Sequence, residues 1–196
     1  MLSALPSLRE FNGVIEWVSP LEEDKFREYR DDDFLSKLGA GGTVAELRNF
    51  WPANGPCWDA LAKVQNGVSH GIVLVEAKSY TGEILGDGCG AGARSRAQIE
   101  RSMTATKRSM AANPSADWLG PLYQCANRLA HLYFFREILR VPAWLINICF
   151  IDDPRTPTSK AEWLVALAGI SSQLGLTSMD SAFSASVFIE AKADTS

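Results

Sequence analysis

Residues 57–78 read CWDALAKVQNGVSHGIVLVEAK, and their pattern is the strongest indication of the fold. Two runs rich in apolar and β-branched residues, 57–64 and 71–78, are separated by turn-forming residues that include Asn66 and Gly67. This pattern predicts a β-hairpin. Because side chains alternate between the two faces of a strand, Glu76 and Lys78 share one face.

The register of this hairpin decides whether Asp59 joins that face. If the strands end symmetrically at Val64 and Gly71, Asp59 lies directly opposite Glu76, with Cβ atoms roughly 4.5–5.5 Å apart. A tighter turn at Asn66 and Gly67 would shift the register by two residues and leave the two acids diagonal, roughly 7–8 Å apart on the same face. Like charges at these separations repel each other, and either register permits a shared cation that would offset the repulsion.

The other segments predict a mixed α/β (α+β) domain in which helices flank a mixed β-sheet. Apolar periodicity and Gly or Pro breaks predict helices at 21–38, 43–50, 94–112, 122–139 and 159–174, and strands at 13–19, 143–151 and 186–190. The run AWLINICFI at 143–151 is typical of a central strand buried on both faces. A length of 196 residues fits a single domain, 1–196.

The composition excludes several classes of protein. Hydrophobic residues make up 46% and charged residues 21%, which is ordinary globular usage and unlike disordered, collagen-like or coiled-coil chains. The net charge of −4 gives no overall attraction for nucleic acid, so any such binding must come from a local basic patch. The longest apolar stretch is too short to cross a bilayer, and the four cysteines lack metal-site spacing. We therefore expect a cytoplasmic protein with reduced cysteines and no membrane partner.

Two carboxylates beside an ammonium group suit one kind of chemistry. Mg²⁺ prefers oxygen ligands and commonly takes one or two carboxylates, keeping water and phosphate oxygens in its other positions. Asp59 and Glu76 meet that requirement, with Mn²⁺ as a substitute. The ion would activate a bound water, while Lys78 would orient that water and stabilise charge on the phosphate. The sequence therefore predicts hydrolysis of a phosphodiester.

The arrangement resembles the PD-(D/E)XK nuclease superfamily, which has the restriction-endonuclease-like fold. Its signature is an aspartate on one strand and D/E-x-K on the next, and here W-D-A-L contains Asp59 while V-E-A-K contains Glu76 and Lys78. The family's core order maps onto residues 43–151, with additions at both ends. The resemblance implies a Mg²⁺-dependent endonuclease that cleaves DNA, less often RNA, and that can act as a homodimer.

The chain departs from the family pattern in two places. Trp58 stands where the family has a proline before the aspartate. The family's first core strand has no clear counterpart in residues 50–57, although the strand at 13–19 is a candidate to replace it.

The resemblance also implies further site residues. A glutamate from the first core helix matches Glu46, and a polar residue from a later helix matches either Gln98 or Gln124, a choice that the sequence leaves open. A basic helix after the hairpin predicts phosphate contacts. Its cations are Arg94, Arg96, Arg101, Lys107 and Arg108.

Other interpretations compete with the nuclease. A second E-x-K copy, Glu190 to Lys192, ends an apolar strand without a following helix, and we interpret it as structural. The helical stripe of Tyr123, Asn127 and His131, with the neighbouring Gln124 and Arg128, is interpreted as buried polar packing. The same fold without activity would give a nucleic-acid-binding or assembly module. Nucleotide binding by the glycine-rich segment 82–92 is a weaker alternative, because the spacing of its glycines matches no phosphate-binding fingerprint.

Overall fold

The computed structural model describes residues 4–191, which form one five-stranded mixed sheet in the order β1-β2-β3-β4-β5. The strands are β1 (Val14–Ser19), β2 (Ala60–Asn66), β3 (Ser69–Lys78), β4 (Ala143–Ile151) and β5 (Ser184–Glu190). The first three strands are antiparallel, and β3, β4 and β5 run parallel. The strand at 14–19 thus supplies a third antiparallel strand beside the hairpin.

Helices cover both faces of this sheet unequally. They are α1 (Pro6–Phe11), α2 (Asp31–Lys37), α3 (Val44–Phe50), α4 (Ala93–Ser109), α5 (Tyr123–Tyr133) and α6 (Lys160–Gln173). A π-helical segment, Phe134–Ile138, continues α5. The larger core lies under α2 to α6, whereas α1 alone covers a small cluster around Val73 and Trp144. The predicted mixed sheet flanked by helices is confirmed.

The run AWLINICFI forms β4 and is buried from both sides, as its lack of alternation predicts. Trp144 and Ile146 contact the small cluster, while Leu145 and Cys149 belong to the larger core. None of the helices within residues 4–191 is long and apolar enough to span a membrane.

The hairpin has the symmetric register, in which Val64 pairs with Gly71 and Ala60 with Val75. The strands are joined by a two-residue turn, and Gly67 takes a left-handed conformation there with φ of +57°. The predicted strand at 57–64 begins later, at Ala60, so Asp59 lies in a bend that precedes the paired residues. The pairing of Val64 with Gly71 excludes the alternative register, in which the turn would lie at Asn66 and Gly67.

The helix predicted at 21–38 is wrong over its first half. A short 3₁₀ turn is followed by left-handed residues at Lys25 and Phe26, and Tyr29 then forms a β-bridge with Trp58. Side-chain bonds from Tyr29 and Lys37 to Asp24 fix this loop. Contacts distant in sequence thus outweigh the local helical pattern.

Candidate active site

The sheet brings Asp59, Glu76 and Lys78 to the same end of the hairpin. The paired residues Leu61 and Leu74 both face the larger core, and Glu76 follows Leu74 by two residues on that face. Asp59 lies in the bend that precedes β2. The Ala77 amide donates a hydrogen bond of 2.7 Å to Asp59 Oδ2. The Asp59 carboxylate is therefore held against the backbone next to Glu76.

Glu76 lies between two cations. Its side chain is only 8% exposed, and its Oε2 accepts a hydrogen bond of 2.6 Å from Arg128 Nε. Its Oε1 lies 2.6 Å from Lys78 Nζ, but that ion pair lacks hydrogen-bond geometry and Oε1 has no donor among the described residues. One carboxylate oxygen is hydrogen-bonded to Arg128, and the other forms an ion pair with Lys78.

Arg128, on α5, is bound on every side. Its Nη1 donates to Asn127 Oδ1 at 2.9 Å, and its Nη2 donates to the Cys57 carbonyl at 2.8 Å. The guanidinium lies over the Trp58 ring, 4.9 Å from its centroid. A buried charge is tolerated when it is paired and hydrogen-bonded in this way.

Sequence reasoning assigned Arg128 to structural packing and missed its contact with Glu76. One available signal was its spacing from Gln124, because residues four apart share a helix face. Gln124 lines a cavity of about 40 Å³ together with Glu76, Lys78 and Arg128. Such a cavity has room for two or three waters. The spacing therefore links Arg128 to a side chain already considered for the site.

Asn147 is a second residue that sequence reasoning missed. It pairs with Glu76 across β3 and β4 and lines the same cavity. Its Nδ2 is buried and has no hydrogen-bond partner among the described residues. It places a free donor near the carboxylate.

The other residues predicted for the site lie elsewhere. Gln98 Nε2 donates a hydrogen bond of 2.6 Å to the Arg48 carbonyl and so ties α4 to α3. Glu46 is exposed on α3, with no ion pair to a site residue in the described chain. Lys192, from the second E-x-K copy, falls outside the described residues. Gln124 is the only one of the two glutamine candidates that lines the cavity.

The basic residues of α4 fall into two groups. Arg96 contacts Glu100 and the Cys89 carbonyl, and Lys107 donates to the Pro114 and Ala116 carbonyls, so both have structural partners. The remaining cations of this helix are exposed. They are Arg94, Arg101 and Arg108.

The glycine-rich loop is bound to the segment that precedes α5. The Gly86 amide donates to the Pro121 carbonyl, and the Cys89 amide donates to the Leu119 carbonyl. A side chain at Gly88 would place its Cβ 2.7 Å from that same Leu119 oxygen, and φ there is +82°. Two of the loop's amides thus have partners within the protein instead of facing a phosphate.

Electrostatics couple the two acids. Burial raises the pKa of the Asp59 carboxyl above its usual value, and the nearby negative charge of Glu76 adds to the effect. The Ala77 amide and the Lys78 ammonium group oppose this shift in the pKa. A cation bound between the acids would favour the ionised form of Asp59.

The donor set is small and made of oxygens. Among residues 4–191, no group of three or more His, Cys, Asp or Glu side chains is arranged to hold a metal ion. Two carboxylates nonetheless suffice for Mg²⁺ when water and phosphate complete its coordination. Comparisons with protein-family models, curated proteins and solved structures give no match to this chain.

Proposed function

We propose that this chain is a Mg²⁺-dependent nuclease with a restriction-endonuclease-like fold that hydrolyses phosphodiester bonds, in DNA above all. One observation carries the proposal: the Asp59 carboxylate is anchored by the Ala77 amide, beside Glu76 and Lys78. The order of elements also supports it. Three antiparallel strands are followed by α4 and α5 and then by a strand parallel to β3.

The residues present fit a divalent ion. Glu76 Oε1 is a buried oxygen that forms an ion pair with Lys78 Nζ at 2.6 Å but accepts no hydrogen bond in the described chain. Asp59 offers a second carboxylate at the same end of the hairpin, anchored by the Ala77 amide. When bound, Mg²⁺ would supply Lewis-acid stabilisation of the phosphate and a water of lowered pKa. Asp59 and Glu76 would hold the ion.

Lys78 would act on the reacting groups directly. Its ammonium lies at the edge of the carboxylate pair with 20% of its side chain exposed, so it can reach a phosphate that enters from solvent. Fixed positive charge beside a phosphate stabilises the charge that develops in the transition state. Gln124 and Asn147 would orient water in the cavity next to Glu76.

Cleavage of supercoiled plasmid and of labelled oligonucleotides with Mg²⁺ tests the proposal. We expect Asp59→Ala and Lys78→Ala to lower the rate by about 10²-fold or more. Glu190→Ala is the matched control, because Glu190 begins the second E-x-K copy at the exposed end of β5. Cleavage that survives in both site variants would remove these residues from the mechanism.

A second candidate is a catalytically inactive relative that binds nucleic acid. The observation in its favour is that Glu76 already has two cationic partners, Lys78 and Arg128, so its charge is neutralised without a metal. An inert wild-type chain that binds DNA with strong salt dependence would favour this function over the nuclease.

A further inference from the structure

The two cations on Glu76 are held very differently. Arg128 uses its Nε and both Nη groups on three acceptors, lies over an aromatic ring and is 6% exposed. Lys78 has one carboxylate partner, without hydrogen-bond geometry, and is 20% exposed. Arg128 is therefore held by more contacts than Lys78, which has a single ion pair and a more exposed side chain.

We propose that Arg128 is a positioning residue that keeps Glu76 Oε2, while Lys78 is a displaceable cation that covers Oε1. A divalent ion then binds at Oε1 by displacing Lys78 and leaves the Arg128 contact intact. This inference rests on the proposed function, because it concerns the ion that the nuclease would use.

The cost of moving each cation supports this division. Withdrawing Arg128 would leave the Cys57 carbonyl, Asn127 Oδ1 and Glu76 Oε2 without their donor, and buried acceptors that lose their partners are costly. Lys78 has a flexible four-carbon side chain. When it moves away, Glu76 Oε1 is the acceptor that loses its cationic partner. That oxygen would then be taken by the ion.

Holding Oε2 also prepares Glu76 as a ligand. A group that hydrogen-bonds the non-ligating oxygen of a metal-binding carboxylate fixes the orientation of that carboxylate. Loss of such a group typically weakens metal binding by about 10- to 100-fold. Arg128 donates to Glu76 from α5, at 52 residues' separation in the chain. The sheet and the helix therefore fix the carboxylate together.

Binding of Mn²⁺ to the full chain without DNA, followed by calorimetry, tests the inference. Arg128→Lys keeps the charge but cannot reproduce the three hydrogen bonds of the guanidinium group. We therefore expect Mn²⁺ to bind about 10- to 100-fold more weakly. Lys78→Met should instead bind Mn²⁺ more tightly. Unchanged or tighter binding by Arg128→Lys would overturn the inference, because it would make Arg128 a structural residue or a competitor.

A second variant and a second measurement keep the inference testable if Arg128→Lys fails to fold. Asn127→Ala removes one anchor of the guanidinium and retains Arg128, and we expect a smaller loss of Mn²⁺ affinity. In ¹⁵N NMR, adding Mg²⁺ should leave the chemical shift of Arg128 Nε–H at its hydrogen-bonded value. The chemical shift of Lys78 Nζ should change. Loss of the Arg128 signal on adding Mg²⁺ would overturn the inference.

The inference and the proposed function fail in different ways. Mn²⁺ binding that follows the expected order, without any cleavage of DNA, would refute the nuclease and leave the roles of Arg128 and Lys78 intact. Cleavage with Mn²⁺ affinity unchanged in Arg128→Lys would refute the positioning role and leave the nuclease standing.

Discussion

Helices α4 and α5 both follow the hairpin, and they contribute to the site in opposite ways. α4 carries five Lys or Arg residues in ARSRAQIERSMTATKRS. Its polar contacts, such as the hydrogen bond from Gln98 to the Arg48 carbonyl, instead hold the helix against the rest of the fold. α5 carries a single arginine in YQCANRLAHLY, and that residue contacts Glu76. The helix with one buried cation thus contacts Glu76, whereas the exposed cations of the more basic helix do not.

The largest expected effect comes from removing the α5 cation. Arg128→Ala should lower the free energy of unfolding by about 3–5 kcal/mol, because it breaks a buried ion pair and leaves acceptors unpaired. The exposed α4 variant Arg101→Ala should change it by less than about 0.5 kcal/mol. Urea denaturation of both proteins measures the difference. Similar stabilities for the two variants would abolish the contrast between the helices.

A pH effect should follow from His131, also on α5. Burial lowers its pKa to about 4 from 6.5, and its Nδ1–H donates to the Asn127 carbonyl at 2.8 Å. As the pH falls from 6.5 towards 4, the His131 imidazole becomes protonated in the unfolded chain but stays neutral in the folded chain. Stability should fall by up to about 3 kcal/mol across that range.

Urea denaturation at pH 7 and pH 4.5 measures this effect. His131→Asn should lose most of the pH dependence attributed to the histidine, whereas His70→Asn should keep it, because His70 is exposed in the hairpin. Equal pH dependence in the wild type and His131→Asn would show that other groups cause the acid destabilisation.

Gln124 on α5 and Gln98 on α4 provide a second contrast between the two helices. Gln124→Ala should lower the cleavage rate by roughly 10- to 100-fold through the loss of orientation at the cavity. Gln98→Ala should leave the rate unchanged and cost about 1 kcal/mol of stability, through its hydrogen bond to the Arg48 carbonyl. A rate loss confined to Gln98→Ala would move the site from α5 to α4.

The smallest effects are expected on the exposed face of α4. If Arg101 and Arg108 contact phosphates, each substitution by alanine should weaken DNA binding uniformly across sequences and reduce the salt slope by about 1. Fluorescence anisotropy between low and moderate salt measures that slope. Unchanged slopes would leave this face as a solvated surface.

The sequence was most informative where one local rule applied. Strand alternation and the turn residues limit the hairpin to two registers, and one of them, with Val64 paired to Gly71, is the register that the structure has. The burial of β4 on both faces likewise follows from AWLINICFI. These features depend on neighbours in the chain or on a single strand pair.

The sequence was least informative where distant segments meet. The bridge between Tyr29 and Trp58 replaced a predicted helix, and the contact of Arg128 with Glu76 spans 52 residues. Helix α1, only six residues long and beginning with Pro6, is too short to give a clear periodic signal. Nothing local specifies which face of α5 turns towards β3.

The most direct test of the shared-cation site is a crystal structure with Mn²⁺, located by its anomalous scattering. We expect one peak within roughly 2.1 Å of an oxygen from each of Asp59 and Glu76, with the Arg128 contact to Glu76 Oε2 retained. A crystal with no peak there, or with Mn²⁺ bound away from both carboxylates, would contradict the proposed metal-dependent chemistry.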